Sequence, residues 1–314
     1  MYDIAFNNPF LIFFIGSFLL YYSSDLLVLN SMILSDHFNV PRFLIGGTII
    51  ALGTSLPEIT VSVLANLKGN SGVAVGNIVG SNIANIGLVL GVSLFFKSIN
   101  INKNNYEYLF NTIALLLITI MFYLFLLNGS ILFIHGLLFL LFYFMYFLIH
   151  MKYFKNEFGS SVSDINIKYS LMKIVLGLVM IYFGSKLFID GALGIAYRIG
   201  IDDIAIGLTI VALGTSAPEL IVSMNAIKKN ESMLAIGNIF GSNIANIVFA
   251  AGISSFVKHI YIDSSEIFLF GTIMLCLTIL LSLIILLSKK IYKIYSLIFT
   301  GVYVIFIYIN FNSF

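Results

Sequence analysis

The sequence predicts an all-α polytopic membrane protein whose ten transmembrane helices form two inverted five-helix repeats. Three observations carry that expectation. The 314 residues are 60% hydrophobic and 10% charged, with a mean hydropathy of +1.06, whereas soluble domains carry about 25% charged residues. Most apolar runs exceed the roughly 18 residues that cross a bilayer as a helix. Residues 24–97 also align without a gap onto 185–258, at a constant offset of 161. The short alternating segments of a membrane β-barrel are absent.

In chain order the helices are expected at 9–32, 41–67, 71–97, 106–127, 130–152, 170–197, 203–228, 232–258, 265–288 and 292–311. The first run has no basic segment before it and no small-residue cleavage site after it, so a spanning helix is expected there rather than a removable signal peptide. The second and seventh runs each contain a proline, and the third and eighth are rich in glycine and asparagine. The longest connection, YFKNEFGSSVSDINIKY, is polar and sits at the midpoint. The chain thus divides into a first five-helix repeat (1–155), a linker (156–168) and a second repeat (169–314). The lone cysteine, Cys276, rules out a disulfide within the chain and any CxxC metal site.

The net charge of +2 says little about partners, but the distribution of charge sets an orientation. Twelve basic residues, from Arg42 to Lys293, lie in one alternate set of loops or close to it. The other set holds three, Lys68, Arg198 and Lys258, and Lys186 lies within a helix. Basic loops stay cytoplasmic, so the central linker is expected inside the cell and both termini outside.

Two blocks dominate the repeat: GTSxPE at 53–58 and 214–219, and GNIxGSNIANI at 76–86 and 237–247. Five helices per half force the second copy into the membrane with opposite polarity, an arrangement of transporters with a substrate site at the repeat interface. Duplication of a mere packing unit would need only small apolar residues, not a glutamate and paired asparagines in each copy.

The chemistry of the blocks points to a cation. Pro57 lacks an N–H and its ring clashes with the Gly53 carbonyl, so the helix must kink or break. Freed carbonyls inside a membrane need a partner from protein or a hydrated cavity. Ala51, Thr54 and Ser55 offer backbone oxygens near that break, and helical spacing places the Thr54, Ser55 and Glu58 side chains on adjoining sites. Ala212, Thr215, Ser216 and Glu219 repeat the set. Glu58 and Glu219 are the costly residues, at about 2.5–3.5 kcal/mol each on insertion scales. No Lys or Arg stands at matching depth in the third or eighth helix to neutralise them. A protonated glutamate bonded to a neighbouring helix is the alternative for either one alone.

Asparagines are ordinary interhelical glue, as is the Gly76–Gly80 pair, which is expected to admit a neighbouring backbone. Beside two glutamates, the amide oxygens of Asn85 and Asn246 become ligand candidates, while Asn77, Asn82, Asn238 and Asn243 are expected to be structural. All candidate ligands are oxygens, which suits calcium or sodium rather than zinc or copper. The four histidines are scattered outside both blocks, and His135 is expected to be a packed helix residue. Two carboxylates balance one calcium ion or two sodium ions.

GTSLPE with GNIVGSNIAN, and GTSAPE with GNIFGSNIAN, resemble the two α-repeats of the sodium/calcium exchanger family, in its compact prokaryotic form within the cation/calcium exchanger superfamily. The resemblance implies a 5+5 inverted architecture and a cation site made by the second, third, seventh and eighth helices. It implies as ligands the side chains of Thr54, Ser55, Glu58, Ser81 and Asn85, their mates Thr215, Ser216, Glu219, Ser242 and Asn246, and the carbonyls of Ala51 and Ala212. It also implies a sliding gate of the first and sixth helices; on the latter, Lys186 and Asp190 are spaced to pair. Several relatives, potassium-dependent exchangers among them, carry aspartate where this chain has Asn246, which argues against potassium coupling.

The function expected is therefore secondary antiport of sodium against calcium in the plasma membrane, with calcium/proton antiport on the same fold as the alternative. The partners expected are Na+, Ca2+ and the lipid bilayer, with no nucleic acid and no cofactor, and a monomer suffices for transport. A channel would normally assemble by symmetry around a pore, and a hydrolase would need a nucleophile with a base or a metal-bound water. Neither HExxH nor a histidine beside the glutamates is present, so no enzyme is expected.

Overall fold

A computed structural model describes residues 8–101, 106–154, 167–198, 212–262, 265–288 and 290–312, and these are nearly all helical. The helices are α1 (Pro9–Phe38), α2 (Arg42–Thr54), α3 (Leu56–Leu67), α4 (Ser71–Phe96), α5 (Tyr106–Leu127) and α6 (Phe133–Tyr153) in the first half. The second half holds α7 (Ile167–Arg198), α8 (Ala212–Thr215), α9 (Ala217–Lys228), α10 (Ser232–Val257), α11 (Ser265–Leu287) and α12 (Ile294–Asn312). Seven of these are long and apolar enough to cross a membrane, or eight if α2 and α3, bent by 50°, count as one span. Residues 203–211 of the seventh expected helix, and Lys155 with residues 156–166 of the linker, lie outside the described residues.

Local chemistry sets the ends. Pro9 opens α1, where its missing N–H costs nothing. Asn39, left-handed at φ 53, closes it, and the Ser35 hydroxyl bonds the Val40 carbonyl at 2.7 Å. The helix therefore outruns its expected end at residue 32 through Ser35, Asp36 and His37. The half-helices α3 and α9 end alike, at Gly69 (φ 87) and its repeat-mate Asn230 (φ 66). Lys97 and Lys258, expected as the last helical residues of α4 and α10, are instead extended. Short strands follow: β1 (Ile99–Asn100), β2 (Ser130–Ile131), β3 (Ile260–Tyr261) and β4 (Lys290–Ile291). β1 pairs antiparallel with β4 and β2 with β3, so α6 and α12 begin later than their apolar runs suggest.

These contacts sort the loops onto two ends of the molecule. Arg42 pairs with Asp36 and Glu231, Lys97 bonds Asn230, and β1 meets β4, all among the loops rich in basic residues. At the other end β2 meets β3, and the Asn66 amide donates to the carbonyls of Ser254 (2.9 Å) and Lys258 (2.7 Å).

α4 and α10 are the most buried helices, whereas α6 and α7 expose most of their apolar length. Such exposed surface is tolerable in lipid and a liability in water. Backbone touches backbone where α2 crosses α10: a Cβ on Gly241 would lie 2.2 Å from the Gly47 oxygen, and one on Gly237 2.4 Å from the Phe43 oxygen. Gly76 and Gly80, the mates of Gly237 and Gly241, do not admit a backbone among the described residues. Nothing lies within 4 Å of a Cβ on Gly76, and only Phe306 Cζ, at 4.0 Å, approaches one on Gly80. Their symmetry-equivalent partner segment, 204–208, is outside the described residues.

α1 and α7 form an antiparallel pair: Gly16 lies against Phe188, Phe13 against Gly191 and Leu27 against Gly177. Gly177, Gly184 and Gly191 recur every seven residues, which keeps one seam facing α1. The pair is held to α9 through α1, by Asn225 Nδ2 to Ser24 Oγ (3.0 Å) and by the Lys229–Asp25 ion pair (2.7 Å). Among the described residues, Ser185, the mate of Ser24, makes no hydrogen bond, and Lys186 and Asp190 do not form the expected ion pair.

Gly241→Val is expected to lower stability by about 3 kcal/mol or more, because the branched side chain must enter the Gly47 backbone. Gly72→Ala, whose Cβ meets nothing within 4 Å, should leave the melting curve unchanged. Thermal melting of both variants in detergent checks this.

Candidate ion site

The two GTSxPE stretches build the same local device. Each helix breaks at the serine, with Ser55 at φ −87, ψ 4 and Ser216 at φ −85, ψ 2, and restarts with proline in its first turn. Glu58 and Glu219 thereby stand in the first turns of α3 and α9. The positive end of a helix dipole favours a carboxylate there. Both glutamates are 1% exposed, and among the described residues no Lys or Arg pairs with either.

The break does not leave every nearby carbonyl free. The Ala51 oxygen accepts the Ser55 N–H (3.0 Å) and the Thr54 hydroxyl (3.2 Å), and the Ser55 oxygen accepts the Ile59 N–H (3.0 Å). For Ala51 to bind an ion, the Thr54 hydroxyl must rotate away. The backbone of Ala212 is helical, as is that of Ala51.

α4 and α10 contribute the amides. A π-helical stretch starts at each ligand candidate, Asn85–Leu90 and Asn246–Ala251. Such a widened turn re-aims the side chains around it and is frequent at functional sites. Asn85 Nδ2 donates to Asn243 Oδ1 and Asn246 Nδ2 to Asn82 Oδ1, each at 3.1 Å. Ser55 Oγ donates to Glu219 Oε1 at 2.9 Å, which joins the repeats again. Thr54 Oγ1 lies 3.4 Å from Asn238 Oδ1 and 3.5 Å from Ser242 Oγ.

Four buried oxygens of the candidate ligands then accept no hydrogen bond from the described residues: Glu58 Oε2, Glu219 Oε2, Asn85 Oδ1 and Asn246 Oδ1; beside them Asn243 Nδ2 is a buried donor without a partner. Each repeat supplies one carboxylate and one amide. A buried acceptor without a donor costs about 1–3 kcal/mol, more when charged, and a desolvated cation is the species that offsets four such costs together. Ser81 and Ser216 are buried on the same elements but make no hydrogen bond to the other candidates. Thr215 is partly buried and engaged in other interactions.

The remaining motif asparagines have specific partners. Asn77 donates to the Glu58 carbonyl (2.9 Å) and Ser62 Oγ (2.8 Å), and Asn238 to Ser223 Oγ (3.0 Å). Asn82 and Asn243, also structural by the sequence, find their partners in the opposite repeat, which no local spacing reveals. Sequence reasoning passed over a second buried polar cluster, in which Glu107 lies 3.3 Å from His150 and Tyr146 donates to Asn111 at 2.8 Å. Its only sequence signal was the polar faces of the fourth and fifth runs. His135 is a packed residue as expected, stacked on Phe125 at 3.9 Å with Nδ1 accepting the Leu132 N–H.

A family model described as sodium/calcium exchanger protein matches residues 8–152 and 169–312. The chain belongs to the sodium/calcium exchanger family. An uncharacterized membrane protein of Methanocaldococcus jannaschii is 36% identical over 297 residues, 93% of this chain and 95% of its own. The sodium/calcium exchanger MaX1 of Methanosarcina acetivorans is 29% identical, over 96% of this chain and 98% of its own. Among solved structures, the sodium-calcium exchanger NCX_Mj soaked with Na+ and Ca2+ superposes with a TM-score of 0.83 at 35% identity. That match covers 95% of this chain and 96% of the other. The match is to a family of exchangers, consistent with the absence of an enzyme motif.

An acceptor-only cage predicts stabilisation by its ion. Calcium at about 100 times its dissociation constant should add about 2.7 kcal/mol, read as a rise in melting temperature. Glu58→Gln and Glu219→Gln should each remove that rise, and magnesium, which demands tighter octahedral geometry, should give less of it.

Proposed function

We propose that this protein is a secondary antiporter that exchanges sodium for calcium by alternating access. The observation that carries this reading is the set of four buried acceptors, a carboxylate and an amide from each repeat, with no donor among the described residues. Glu58, Glu219, Asn85 and Asn246 form the centre of the site. Thr54, Ser55, Ser81, Thr215, Ser216 and Ser242 and the carbonyls of Ala51 and Ala212 complete it as the ions exchange. Two carboxylates hold one calcium ion or two sodium ions at the same net charge, so the two ions compete for one cage.

In this reading ten helices cross the plasma membrane, with α2–α3 and α8–α9 each a broken span, as two five-helix repeats of opposite polarity. The repeat at offset 161 supports it, as do the two matched segments of the family model. The end of the molecule that carries Arg42, Lys97, Lys229 and Lys290 faces the cytoplasm, and both termini face outwards. The glycine-seamed α1–α7 pair slides over the central helices to expose the site to either side in turn. Family membership and the likeness to NCX_Mj favour sodium as the counter-ion.

Inverted membrane vesicles test the coupling. Calcium uptake should follow an imposed sodium gradient and persist when the pH gradient is collapsed. Uptake that needs the pH gradient and ignores sodium would establish calcium/proton antiport instead. Lys186→Ala, which removes a charge with no ion-pair partner among the described residues, should keep most transport, while Glu58→Gln and Glu219→Gln should reduce it to background.

A further inference from the structure

Asn82 and Asn243 bridge the two repeats; we infer that they are positioning residues, which set the direction of the two ligand amides. The inference rests on the site proposed above. An asparagine amide presents an acceptor at one end and a donor at the other, nearly equal in shape. Turned by half a rotation, Asn85 or Asn246 would aim its N–H2 group at the cation. Something must distinguish the two orientations, and backbone packing cannot.

The cross-repeat bonds supply that distinction. Asn82 donates its own Nδ2 to the Asn243 carbonyl (3.4 Å), near Met274 Sδ (3.7 Å), so its Oδ1 is turned to Asn246. Asn246 then has to offer Nδ2 to Asn82, and its Oδ1 is left aimed without a partner. A flipped Asn246 would press oxygen against oxygen in a fully buried place, on top of losing the bond. The mate pair repeats the bond to the ligand, with Asn243 Oδ1 receiving Asn85 Nδ2, but not its anchor: Asn243 Nδ2 makes no hydrogen bond among the described residues. Asn82 therefore orients the ligand of the second repeat, Asn243 offers Asn85 an acceptor in turn, and a slip of α4 along α10 would disturb both bonds at once. This ties ion affinity to the register of the two central helices, which must stay fixed while α1 and α7 move.

The test uses the symmetry of a carboxylate. With Asn246→Asp, both ends of the side chain are acceptors, so the orientation that Asn82 imposes no longer matters. Calcium binding to the purified full chain in detergent is measured by isothermal titration for the wild type, Asn82→Leu, Asn246→Asp and the double variant. Asn82→Leu should weaken binding by about tenfold or more when residue 246 is asparagine, as loss of a ligand's supporting partner does. With aspartate at 246 the same substitution should cost less than about threefold, a difference well beyond titration error. Asn82→Asp, which keeps an acceptor for Asn246, should retain binding where Asn82→Leu loses it. Equal loss in both backgrounds, or no loss beside Asn246, overturns the inference and leaves Asn82 a packing residue. The mate cycle, Asn243→Leu with Asn85→Asp, runs in parallel under the same criteria, so one misfolded variant still leaves a complete cycle to decide between the two outcomes. A wild-type chain that binds no calcium overturns the proposed function and this inference together. Binding that Glu58→Gln abolishes, with both cycles additive, overturns the inference alone.

Discussion

Two buried carboxylates, with no basic partner among the described residues, are the constraint on which the rest of this structure depends. Glu58 and Glu219 sit in an apolar interior where a bare charge is costly. The protein answers locally by breaking each helix at a serine, which puts the glutamate at the positive end of a new helix. It answers at longer range with Ser55, which reaches Glu219 from the other repeat. Neither device gives the second carboxylate oxygen of either glutamate a donor among the described residues. In the proposed function a cation completes them, and exchange requires that the protein leave this compensation to a mobile species.

The packing follows from that need. A site made from two repeats holds its shape only if the central helices keep their register. Backbone contact at Gly47–Gly241 and Phe43–Gly237 fixes α2 against α10 more tightly than flexible side chains could. The reciprocal amide bonds fix α4 against α10. By contrast the α1–α7 pair is closely packed within itself, and among the described residues Ser24–Asn225 and Asp25–Lys229 tie it to α9. A closely packed pair on a closely packed centre suits the sliding access of the proposed function.

Much of this was legible residue by residue. Glu58 and Glu219 stood out because charge in an apolar run is expensive, and Pro57 and Pro218 because a proline there must break the helix. Asn85 and Asn246 followed from their places in a repeated block rich in polar groups. The ends of helices were less legible. Ser130, Ile131, Lys290 and Ile291 join apolar runs in sequence yet form strand pairs with loops far along the chain. The carbonyl of Ala51 looked available from the proline rule, but Ser55 and Thr54 occupy it. Lys186 and Asp190 were spaced to pair and do not, while Asp25 found Lys229 across the fold.

By itself the sequence determined membrane residence, the duplicated halves, the helix breaks and the oxygen chemistry of the site. All of these rest on composition, on nearest-neighbour sterics or on comparison of the chain with itself. Only the tertiary structure decided which way each amide faces, which carbonyls are already used and which repeat supports which ligand. The amide directions and cross-repeat supports depend on partners 158 to 188 residues apart, as in Asn85–Asn243, Asn82–Asn246 and Thr54–Ser242, whereas the Ala51 carbonyl is taken by the rotamer and backbone of its own next turn. An amide reads the same in either orientation along a chain, and its direction exists only once the opposite helix is in place.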